Sequence, residues 1–471
     1  MIRIKDGDRI YFLAICGTAM ASLAVMMKQK GFYVYGSDQG IYPPMSTFLQ
    51  EHQVPCFSGY DVKHLDPLPD VVVVGNAISR GNCEIEEILA RHIPYVSLPF
   101  ALRELFIRGR RSIVVAGTHG KTTTTSLLAW IFEKAGRNPG FLIGGILNNF
   151  AGGFQLGGSQ EFIVEGDEYD SAFFEKTSKF LHYMPDIGII NHIEFDHADI
   201  FNSLDEIKTA FKRFVNLIPG NGLLVACADF DTVVEAASKA FCPLQTFGLK
   251  NRADWTAEVK SRNTQNSEIA VYFKGKRKGI LSVPLIGEHN IRNVLAAIAV
   301  SDYVGIDFET IQSALKSFKG VLRRLELVGR EKGVAVYDDF GHHPTAIKDT
   351  LAAFRYQNPD HKIWALFEPR TATTRRNIFQ NELADAFDCA DAVLLAPIDR
   401  PEKVPDGQLL DIDKLTGNLS GKGKLAKHFD SIDAIVTFLT PQLKEGDVII
   451  TFSNGPFGQI QHKLLNSLKG R

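Results

Sequence analysis

The chain has 471 residues and a formal net charge of −2 at pH 7; 45% of its residues are hydrophobic and 23% are charged. This length predicts two to four domains, each large enough to bury its own core. The ordinary apolar content argues against intrinsic disorder. The balanced charge, which includes no basic stripe, argues against nucleic-acid binding.

The cysteines are scattered along the chain and include no CxxC pair. They are Cys16, Cys56, Cys83, Cys227, Cys242 and Cys389. This spacing argues against a zinc site or a disulfide framework. It predicts reduced, buried thiols in a cytosolic protein.

An apolar stretch at residues 10–27 follows several basic residues, as in a signal peptide or a membrane span. However, acidic residues lie among the basic ones, and Gly17-Thr18 divides the stretch into a strand-sized and a helix-sized piece. A second strand follows at residues 32–35. The pattern therefore predicts β-turn-α-β in a soluble protein, and no later segment is long and apolar enough to span a membrane.

The first 107 residues are predicted to form a Rossmann-like half. Its predicted elements are strands at 10–15, 32–35 and 71–75 and a helix at 19–29. The first turn, residues 16–21, is too poor in glycine for the G-x-G-x-x-G pattern. Asp38 nevertheless follows at the distance where an acidic residue often contacts a ribose. A nucleotide-containing ligand and a purely structural turn both remain open, and NAD is poorly supported.

A β-branched run at residues 112–116 leads into a glycine loop at 117–123 and an apolar helix to about residue 136. This order directs backbone N–H groups at phosphate; Lys121 would reach the β- and γ-phosphates, and Thr122 would bind Mg²⁺. The generic pattern G-x-x-x-x-G-K-[ST] requires glycine where this chain has Val115, so the match is to the shorter form G-x-x-G-K-T. A nucleotide site is favoured over an ordinary strand–helix turn that carries a lysine.

Two later strands end in polar loops. A strand from residue 162 leads into the acidic stretch 165–170, and a strand at 187–190 leads into 191–199, which contains Asp196-His197. Ligands of α/β sheets bind at the carboxyl ends of the strands. Glu165 and His197 beside the phosphate loop therefore indicate a Mg²⁺–phosphate site, with histidine as a less usual ligand. The alternatives are a solvated acidic loop and a structural histidine.

The remaining elements complete two α/β units. They are predicted as a helix at 201–218, a strand at 222–227, a small antiparallel β region at 245–285, a helix at 294–304 opened by polar capping residues at 287–293, and strands at 334–337, 363–367, 392–395 and 448–452. Polar loops follow three of the last strands, so they are expected at one edge of a second doubly wound sheet. Its basic loop, 370–376, is either a carboxylate or phosphate clamp or a solvated turn.

These stretches resemble the Mur ligase family of ATP-dependent amide ligases over essentially the whole chain. The resembling signatures are 117–123, 191–197, 287–290 and the arginine motif at 323–326. Residues 338–345 are similar to the branch that acts directly on UDP-N-acetylmuramate. Within that branch, residues 42–47, 367–370 and 453–458 resemble members that attach the tripeptide L-alanyl-γ-D-glutamyl-meso-diaminopimelate. Val115 is thereby explained as a feature of the family's phosphate loop.

The resemblance implies an α/β fold of three domains. These are a Rossmann-like UDP-sugar-binding domain at 1–107, a P-loop ATPase-like domain with a small β subsheet at 108–319, and a Rossmann-like peptide-binding domain at 320–471. It implies that the lactoyl carboxylate attacks the γ-phosphate of ATP, with ADP as the leaving group, to give an acyl phosphate. The alanyl amine then displaces phosphate from this intermediate to form an amide. Lys121 and Mg²⁺ would supply positive charge between the two anions, so positioning and electrostatics carry the rate.

The resemblance also assigns residues to each ligand. Lys121, Glu165 and His197 would be catalytic, and Thr122, Glu165 and His197 would hold Mg²⁺. The ATP-binding residues would be Gly117, Thr118, His119, Gly120, Lys121, Thr122, Thr123, His289, Asn290, Asn293, Arg324 and Asp339. The UDP-sugar would contact Gly17, Thr18, Ser37, Asp38, Asn76, Ser79 and Asn191. The peptide would contact His343, Arg370, Thr371, Thr373, Ser453 and Asn454.

Several alternatives accompany this interpretation. Many Mur ligases carry a carbamoylated lysine where this chain has Lys212, but the UDP-N-acetylmuramate branch generally lacks it, so we expect Lys212 to be an ordinary surface lysine. The rival functions are a UDP-N-acetylmuramate–L-alanine ligase and a catalytically silent sensor of UDP-sugars; a Rossmann dehydrogenase is weaker. We expect a cytoplasmic enzyme of peptidoglycan recycling, a monomer or weak dimer, with no nucleic-acid or membrane partner. Oligomeric state, domain closure and tolerance for other peptides stay open.

Overall fold

A computed structural model describes residues 4–262 and 266–470. Its strands are β1 (Arg9–Leu13), β2 (Tyr33–Asp38), β3 (Cys56–Ser58), β4 (Val71–Val74), β5 (Tyr95–Ser97), β6 (Arg111–Ala116), β7 (Gly140–Leu142), β8 (Phe154–Gln155), β9 (Glu161–Gly166), β10 (Asp170–Ala172), β11 (Glu175–Ser178), β12 (Ile187–Ile190), β13 (Leu223–Cys227), β14 (Leu244–Gly248), β15 (Trp255–Arg262), β16 (Ser267–Phe273), β17 (Lys276–Val283), β18 (Glu326–Glu331), β19 (Val334–Asp339), β20 (Ile363–Phe367), β21 (Ala392–Leu395), β22 (Leu425–His428) and β23 (Val448–Phe452).

The α-helices lie between the strands for most of the chain, as an α/β fold requires. They are α1 (Thr18–Gln29), α2 (Met45–Glu51), α3 (Cys83–Ala90), α4 (Leu98–Leu102), α5 (Lys121–Lys134), α6 (Leu204–Val215), α7 (Asp231–Ala237), α8 (Glu288–Tyr303), α9 (Phe308–Lys316), α10 (Pro344–Gln357), α11 (Glu382–Ala386), α12 (Ile412–Gly421), α13 (Ile432–Leu439) and α14 (Ile460–Lys469).

The first sheet is parallel with the order β3-β2-β1-β4-β5. Its strand β4 is a run of four buried valines, because both faces of the sheet are covered. The predicted β-turn-α-β at the N-terminus is confirmed as β1, α1 and β2. Among the helices of the described residues, none combines the length and apolarity needed to cross a bilayer.

The middle sheet has the order β17-β16-β15-β14-β13-β12-β6-β9-β7-β8. Strand β6, which leads into the phosphate loop, is parallel to both of its neighbours, β12 and β9. The carboxyl ends of these three strands therefore open at one edge. The predicted antiparallel strands are present as β15, β16 and β17. They extend the middle sheet, because β15 pairs with β14. Residues 263–265, inside that predicted region, lie outside the described residues.

The third sheet has the order β18-β19-β23-β20-β21-β22 and is parallel apart from β18. Strand β23 lies between β19 and β20, so the polar loops that follow these three strands emerge side by side. The predicted clustering of these loops at one edge is confirmed. The three-domain α/β fold class is likewise confirmed by the sheets.

Two local predictions were wrong in detail. Helix α8 begins at Glu288, several residues before the predicted start, and it has no side-chain N-cap. The polar residues taken for caps therefore occupy its first two turns. The expectation of buried thiols holds for Cys227 and Cys242, whereas Cys83 is exposed and Cys16, Cys56 and Cys389 are partly buried.

The buried strands at the middle of the central sheet give a stability prediction. Ile189 of β12 is fully buried in the main core, and we expect Ile189→Ala to cost about 2–5 kcal/mol because it leaves a cavity. Val234→Ala, at a side chain that is 47% exposed, is the control and should change stability by less than about 0.5 kcal/mol. Thermal melting of both variants, monitored by circular dichroism, tests this; equal melting temperatures would contradict the described packing.

Candidate active site

The phosphate loop joins β6 to α5 and depends on two glycines. Gly117 has a φ of 137° and Gly120 a φ of 81°, a region that other residues rarely occupy. A Cβ on Gly120 would lie 2.4 Å from Asn293 Oδ1, and one on Gly117 would lie 3.0 Å from the backbone nitrogen of His192. The loop is therefore packed against both α8 and the segment after β12, which fixes the first turn of α5.

Lys121, the first residue of α5, is held by two acceptors. Its Nζ donates to the carbonyl of Gly117 at 2.7 Å and to Glu168 Oε2 at 2.8 Å. Burial would lower the pKa of Lys121, but the charges of Glu168 and Asp167 outweigh it and raise the pKa. The ammonium group therefore stays charged at the floor of the site.

The predicted Mg²⁺ ligands lie together, Thr122 in the first turn of α5 and Glu165 at the end of β9. Glu165 Oε1 accepts a hydrogen bond from the backbone N–H of Gly144 at 3.1 Å. Burial and the nearby Asp167 raise the pKa of Glu165 to about 7, so its negative charge is poorly compensated by the protein. Thr122 Oγ1 accepts a hydrogen bond from Arg324 Nη2 at 3.1 Å. A hydroxyl beside an under-compensated carboxylate is the hard oxygen set that suits Mg²⁺.

His197 is joined to the site by a residue that the sequence analysis did not assign. Its Nε2 lies 3.4 Å from Glu168 Oε1, and Glu168 also binds Lys121. Burial opposes protonation of His197, but Glu168 and Asp196 raise its pKa to about 9. Burial likewise opposes ionisation of Glu168, but Lys121 and His197 lower its pKa to about 2. Glu168 belongs to the acidic stretch after β9, which was the available signal for it.

The other side chains of the loop contact the protein. Thr118 Oγ1 accepts from the backbone N–H of Glu194 at 3.0 Å, and His119 Nε2 lies 2.7 Å from Glu194 Oε2. Thr123 is buried in the first turn of α5. The backbone N–H of Thr118 donates to the carbonyl of His192 at 2.8 Å, so the N–H groups left to face a phosphate are those of the first turn of α5.

The predicted adenine-side residues lie on the first two turns of α8. Asn293 Nδ2 donates to Asn290 Oδ1 at 3.2 Å, and the Oδ1 of Asn293 is adjacent to Gly120. Burial lowers the pKa of His289, so its imidazole is neutral. The first turns of α8 therefore place Asn293, with Asn290 bound to it, against the phosphate loop.

Asn191, predicted to contact the UDP-sugar, lies next to the phosphate loop. Its Nδ2 donates to Thr124 Oγ1 at 3.0 Å, and the residue is buried behind the phosphate loop. Its Oδ1 has no hydrogen-bond partner within the described residues. Asn191 therefore supports the loop, and its contact with the sugar stays a prediction.

The last domain docks onto this site. Thr373 Oγ1 donates to Asp196 Oδ1 at 2.9 Å, and Arg376 Nη1 donates to the carbonyl of Ala198 at 2.8 Å. Asp339 accepts from the backbone N–H groups of residues 325 and 341. It therefore shapes the segment that carries Arg324 to Thr122. Thr373, predicted to bind peptide, is buried in this interface.

Two more predicted peptide-binding side chains are engaged elsewhere. The hydroxyl of Ser453 is fully buried and donates to Glu368 Oε2. His343 caps α10 through Nδ1, which accepts from the backbone N–H of Thr345, and its Nε2 lies 3.1 Å from the carbonyl of Phe195. These groups bind the protein's own buried partners, and their contact with the peptide stays a prediction.

The remaining predicted peptide residues stay near a surface. Arg370 lies 3.7 Å from Glu368 and 3.6 Å from Asp399 and packs on Gly455. Thr371 and Thr374 share a hydrogen bond of 2.9 Å that closes the basic loop. Asn454 Oδ1 is buried and unpartnered within residues 4–262 and 266–470, so it offers an acceptor to a ligand.

The predicted UDP-sugar residues sit at the carboxyl ends of β1, β2 and β4. Gly17, Asn76 and Ser79 are exposed and Thr18 is partly exposed. Ser37 is fully buried, and its hydroxyl donates to Glu84 Oε2 at 2.7 Å; its contact with the UDP-sugar stays a prediction. Asp38 accepts from the backbone N–H groups of residues 16 and 40.

Lys212 lies at the surface of α6, as expected. Its Nζ is 2.7 Å from Glu235 Oε1, and its side chain is 48% exposed. This ion pair directs the side chain of Lys212 toward α7. Other residues of α6 occupy the face of that helix near Glu168.

A phosphate loop on a parallel sheet, flanked by buried carboxylates and covered by a domain that delivers an arginine, defines an ATP-using enzyme of three α/β domains. The chain belongs to the Mur ligase family, whose members are ATP-dependent ligases. Residues 9–110 match the family's catalytic domain, 115–301 its middle domain and 323–455 its glutamate ligase domain.

Several relatives match over nearly their whole length. The chain is 41% identical over 462 residues, 98% of each chain, to the UDP-N-acetylmuramate–L-alanyl-γ-D-glutamyl-meso-2,6-diaminoheptandioate ligase of Escherichia coli. It is 34% identical to the UDP-N-acetylmuramate–L-alanine ligase of Clostridium kluyveri, covering 97% of this chain and 98% of that one. The crystal structure of a murein peptide ligase from Psychrobacter arcticus covers 99% of both chains, with a TM-score of 0.77 and 37% identity.

The shared role of Glu168 gives a prediction. Glu168→Gln keeps the shape but removes the charge that orients Lys121 and His197. We expect the rate of ADP formation to fall by about 10²-fold, because small misplacements of reacting groups have effects of that size. Steady-state assays with Glu382→Gln, an exposed change on α11, provide the control. A turnover near that of the unaltered enzyme would contradict the role of Glu168 in orienting Lys121 and His197.

Proposed function

We propose that this chain joins the tripeptide L-Ala-γ-D-Glu-meso-diaminopimelate to UDP-N-acetylmuramate, with formation of ADP and phosphate, in the recycling of peptidoglycan. The observation that carries the proposal is 41% identity over 98% of the chain to a ligase named for this reaction. The site supports it, because the phosphate loop holds Lys121 at its base, the last domain brings Arg324 to Thr122, and the basic loop of that domain contacts the segment after β12.

The proposed reaction uses the site's residues for binding and charge. Lys121 holds the γ-phosphate as the lactoyl carboxylate attacks it, and Glu168 keeps the ammonium charged and aimed. Thr122 and Glu165 would hold Mg²⁺, and His197 would hold a second ion beside the carboxylate. The metal supplies positive charge between two anions. Arg324 would leave Thr122 to contact phosphate when ATP enters.

The three domains take separate roles in this proposal. Residues 1–107 would bind the UDP-sugar at Gly17, Thr18, Asp38, Asn76 and Ser79. Residues 108–319 would bind ATP, with the adenine near His289, Asn290 and Asn293. Residues 320–471 would bind the peptide, with Arg370 and Asn454 as the contacts that the geometry leaves available. We also infer a cytoplasmic location and a monomer or weak dimer.

The alanine ligase is the competing function, because relatives of that name reach 34% identity over 97% of the chain. The two functions differ in the amine that attacks the acyl phosphate. A phosphate-release assay with ATP and UDP-N-acetylmuramate should show turnover with the tripeptide and little with L-alanine. A preference for L-alanine would overturn the recycling assignment and leave the ligase class intact. Phosphate release in the absence of any peptide or amino acid would overturn the ligase reaction itself.

Lys121→Ala tests the phosphate loop. Removal of the ammonium group should lower turnover by at least about 10²-fold, the scale expected when one stabilising group is removed from a transition state. Binding of UDP-N-acetylmuramate, measured by calorimetry without ATP, should persist because the first sheet is separate from the loop. Lys212→Ala at the surface of α6 is the matched lysine control. Substantial activity of Lys121→Ala would contradict the proposed mechanism.

A further inference from the structure

A second group of metal-type side chains lies behind the phosphate loop. His119, His192 and Glu194 each offer one ligand atom, and these atoms all lie within 4.8 Å of one another. In residues 4–262 and 266–470, this is the group of histidine, cysteine or acidic side chains that meets this criterion. It shares no residue with the predicted Mg²⁺ ligands Thr122, Glu165 and His197.

The fold brings these residues together from two neighbouring strand ends. His119 follows β6, and His192 and Glu194 follow β12, which pairs with β6 in parallel. Thr118 and Glu194 fasten the two loops to each other through a hydroxyl–backbone hydrogen bond of 3.0 Å. The backbone of the group is therefore fixed before any ligand arrives.

The distances suit a tetrahedral ion. With metal–ligand bonds of about 2.0–2.2 Å, ligand atoms around a tetrahedral ion are about 3.3–3.6 Å apart. His119 Nε2 lies 2.7 Å from Glu194 Oε2, and His192 Nε2 lies 3.7 Å from Glu194 Oε1. The two imidazoles thus approach opposite oxygens of one carboxylate. An ion between them would require the contact between His119 and Glu194 to lengthen and that between His192 and Glu194 to shorten.

The protonation states also suit a metal. Burial lowers the pKa of His192 to about 3, so the ring is neutral and keeps a lone pair. Burial opposes ionisation of Glu194, but His119 and His192 lower its pKa to about 2, so it is a carboxylate. His192 is stacked on Phe230 with ring centroids 3.6 Å apart, which holds its plane. His192 can therefore bind an ion without losing a proton.

The ligand chemistry separates this group from the Mg²⁺ site. Two imidazole nitrogens and one carboxylate oxygen favour a borderline ion such as Zn²⁺ or Co²⁺, whereas Mg²⁺ prefers oxygen ligands. His343 of the last domain lies 3.6 Å from Glu194 Oε2, but its Nδ1 already accepts from Thr345. We therefore leave the fourth position to water.

We propose that His119, His192 and Glu194 form a binding site for one Zn²⁺-class ion that ties the phosphate loop to the segment after β12. The ion would replace the hydrogen bond between His119 and Glu194 and leave Lys121 and Thr122 free for nucleotide. Its expected effect is stabilisation of the native chain, because it binds the folded arrangement of two separate loops.

The test uses the untagged full chain without substrates, so its result is independent of the proposed function. Titration with Co²⁺ should give one site per chain with the visible absorption of a nitrogen-ligated tetrahedral ion. Zn²⁺ should displace it, and an excess of Mg²⁺ should not. The melting temperature should rise with added Zn²⁺.

The variants His192→Asn and Glu194→Gln should each weaken Co²⁺ binding by more than about tenfold, since even outer partners of metal ligands contribute that much. His361→Asn, at an exposed histidine, should bind like the unaltered chain. Circular dichroism without metal identifies a variant that fails to fold, and the other variant then decides. Unchanged binding in a folded variant, or no Co²⁺ binding by the unaltered chain, would overturn the proposal.

Discussion

The structure of the site depends on the burial of the Lys121 ammonium beside Glu168. A lysine in the first turn of a buried helix would lose its charge without a nearby anion. Glu168 supplies that anion and also binds His197, so one carboxylate aligns a phosphate-loop cation with a histidine from another strand end. The parallel pairing of β6 with β9 and β12 is what brings the three residues together.

The same sheet edge carries two types of polar cluster with different chemistry. Thr122 and Glu165 offer oxygen atoms, and the raised pKa of Glu165 reflects negative charge that the protein itself leaves poorly compensated. His119, His192 and Glu194 offer nitrogen and oxygen and are already partly satisfied by each other. Thr122 and His119 both belong to the phosphate loop, so each cluster ties this loop to the end of a neighbouring strand.

The last domain completes the site through contacts that are themselves structural. The segment 195–198 of the middle domain forms hydrogen bonds with the side chains of Thr373, His343 and Arg376. Arg370 and Asn454 are only partly buried. The domain interface therefore occupies side chains whose sequence pattern resembles that of ligand contacts.

The sequence by itself determined where the buried strands, and the polar loops that follow them, lie along the chain. Continuous apolar runs bounded by polar residues predicted both end residues of β12, β20, β21 and β23 correctly. A strand that is buried on both faces is apolar along its whole length, so its ends are visible in the sequence. The start of α8 was missed because polar residues in its first turns broke the apolar periodicity. Lys121, Thr122 and Glu165 were found because a phosphate loop and a strand end are local features.

Only the tertiary structure decided which polar side chains remain available to a ligand. Ser37 is taken by Glu84, Ser453 by Glu368 and Asn191 by Thr124, and each partner is distant in sequence. A buried hydroxyl or amide must find a partner, and its identity depends on which strands are neighbours. Glu168 became visible for the same reason, since its role follows from the two cations that the sheet places beside it.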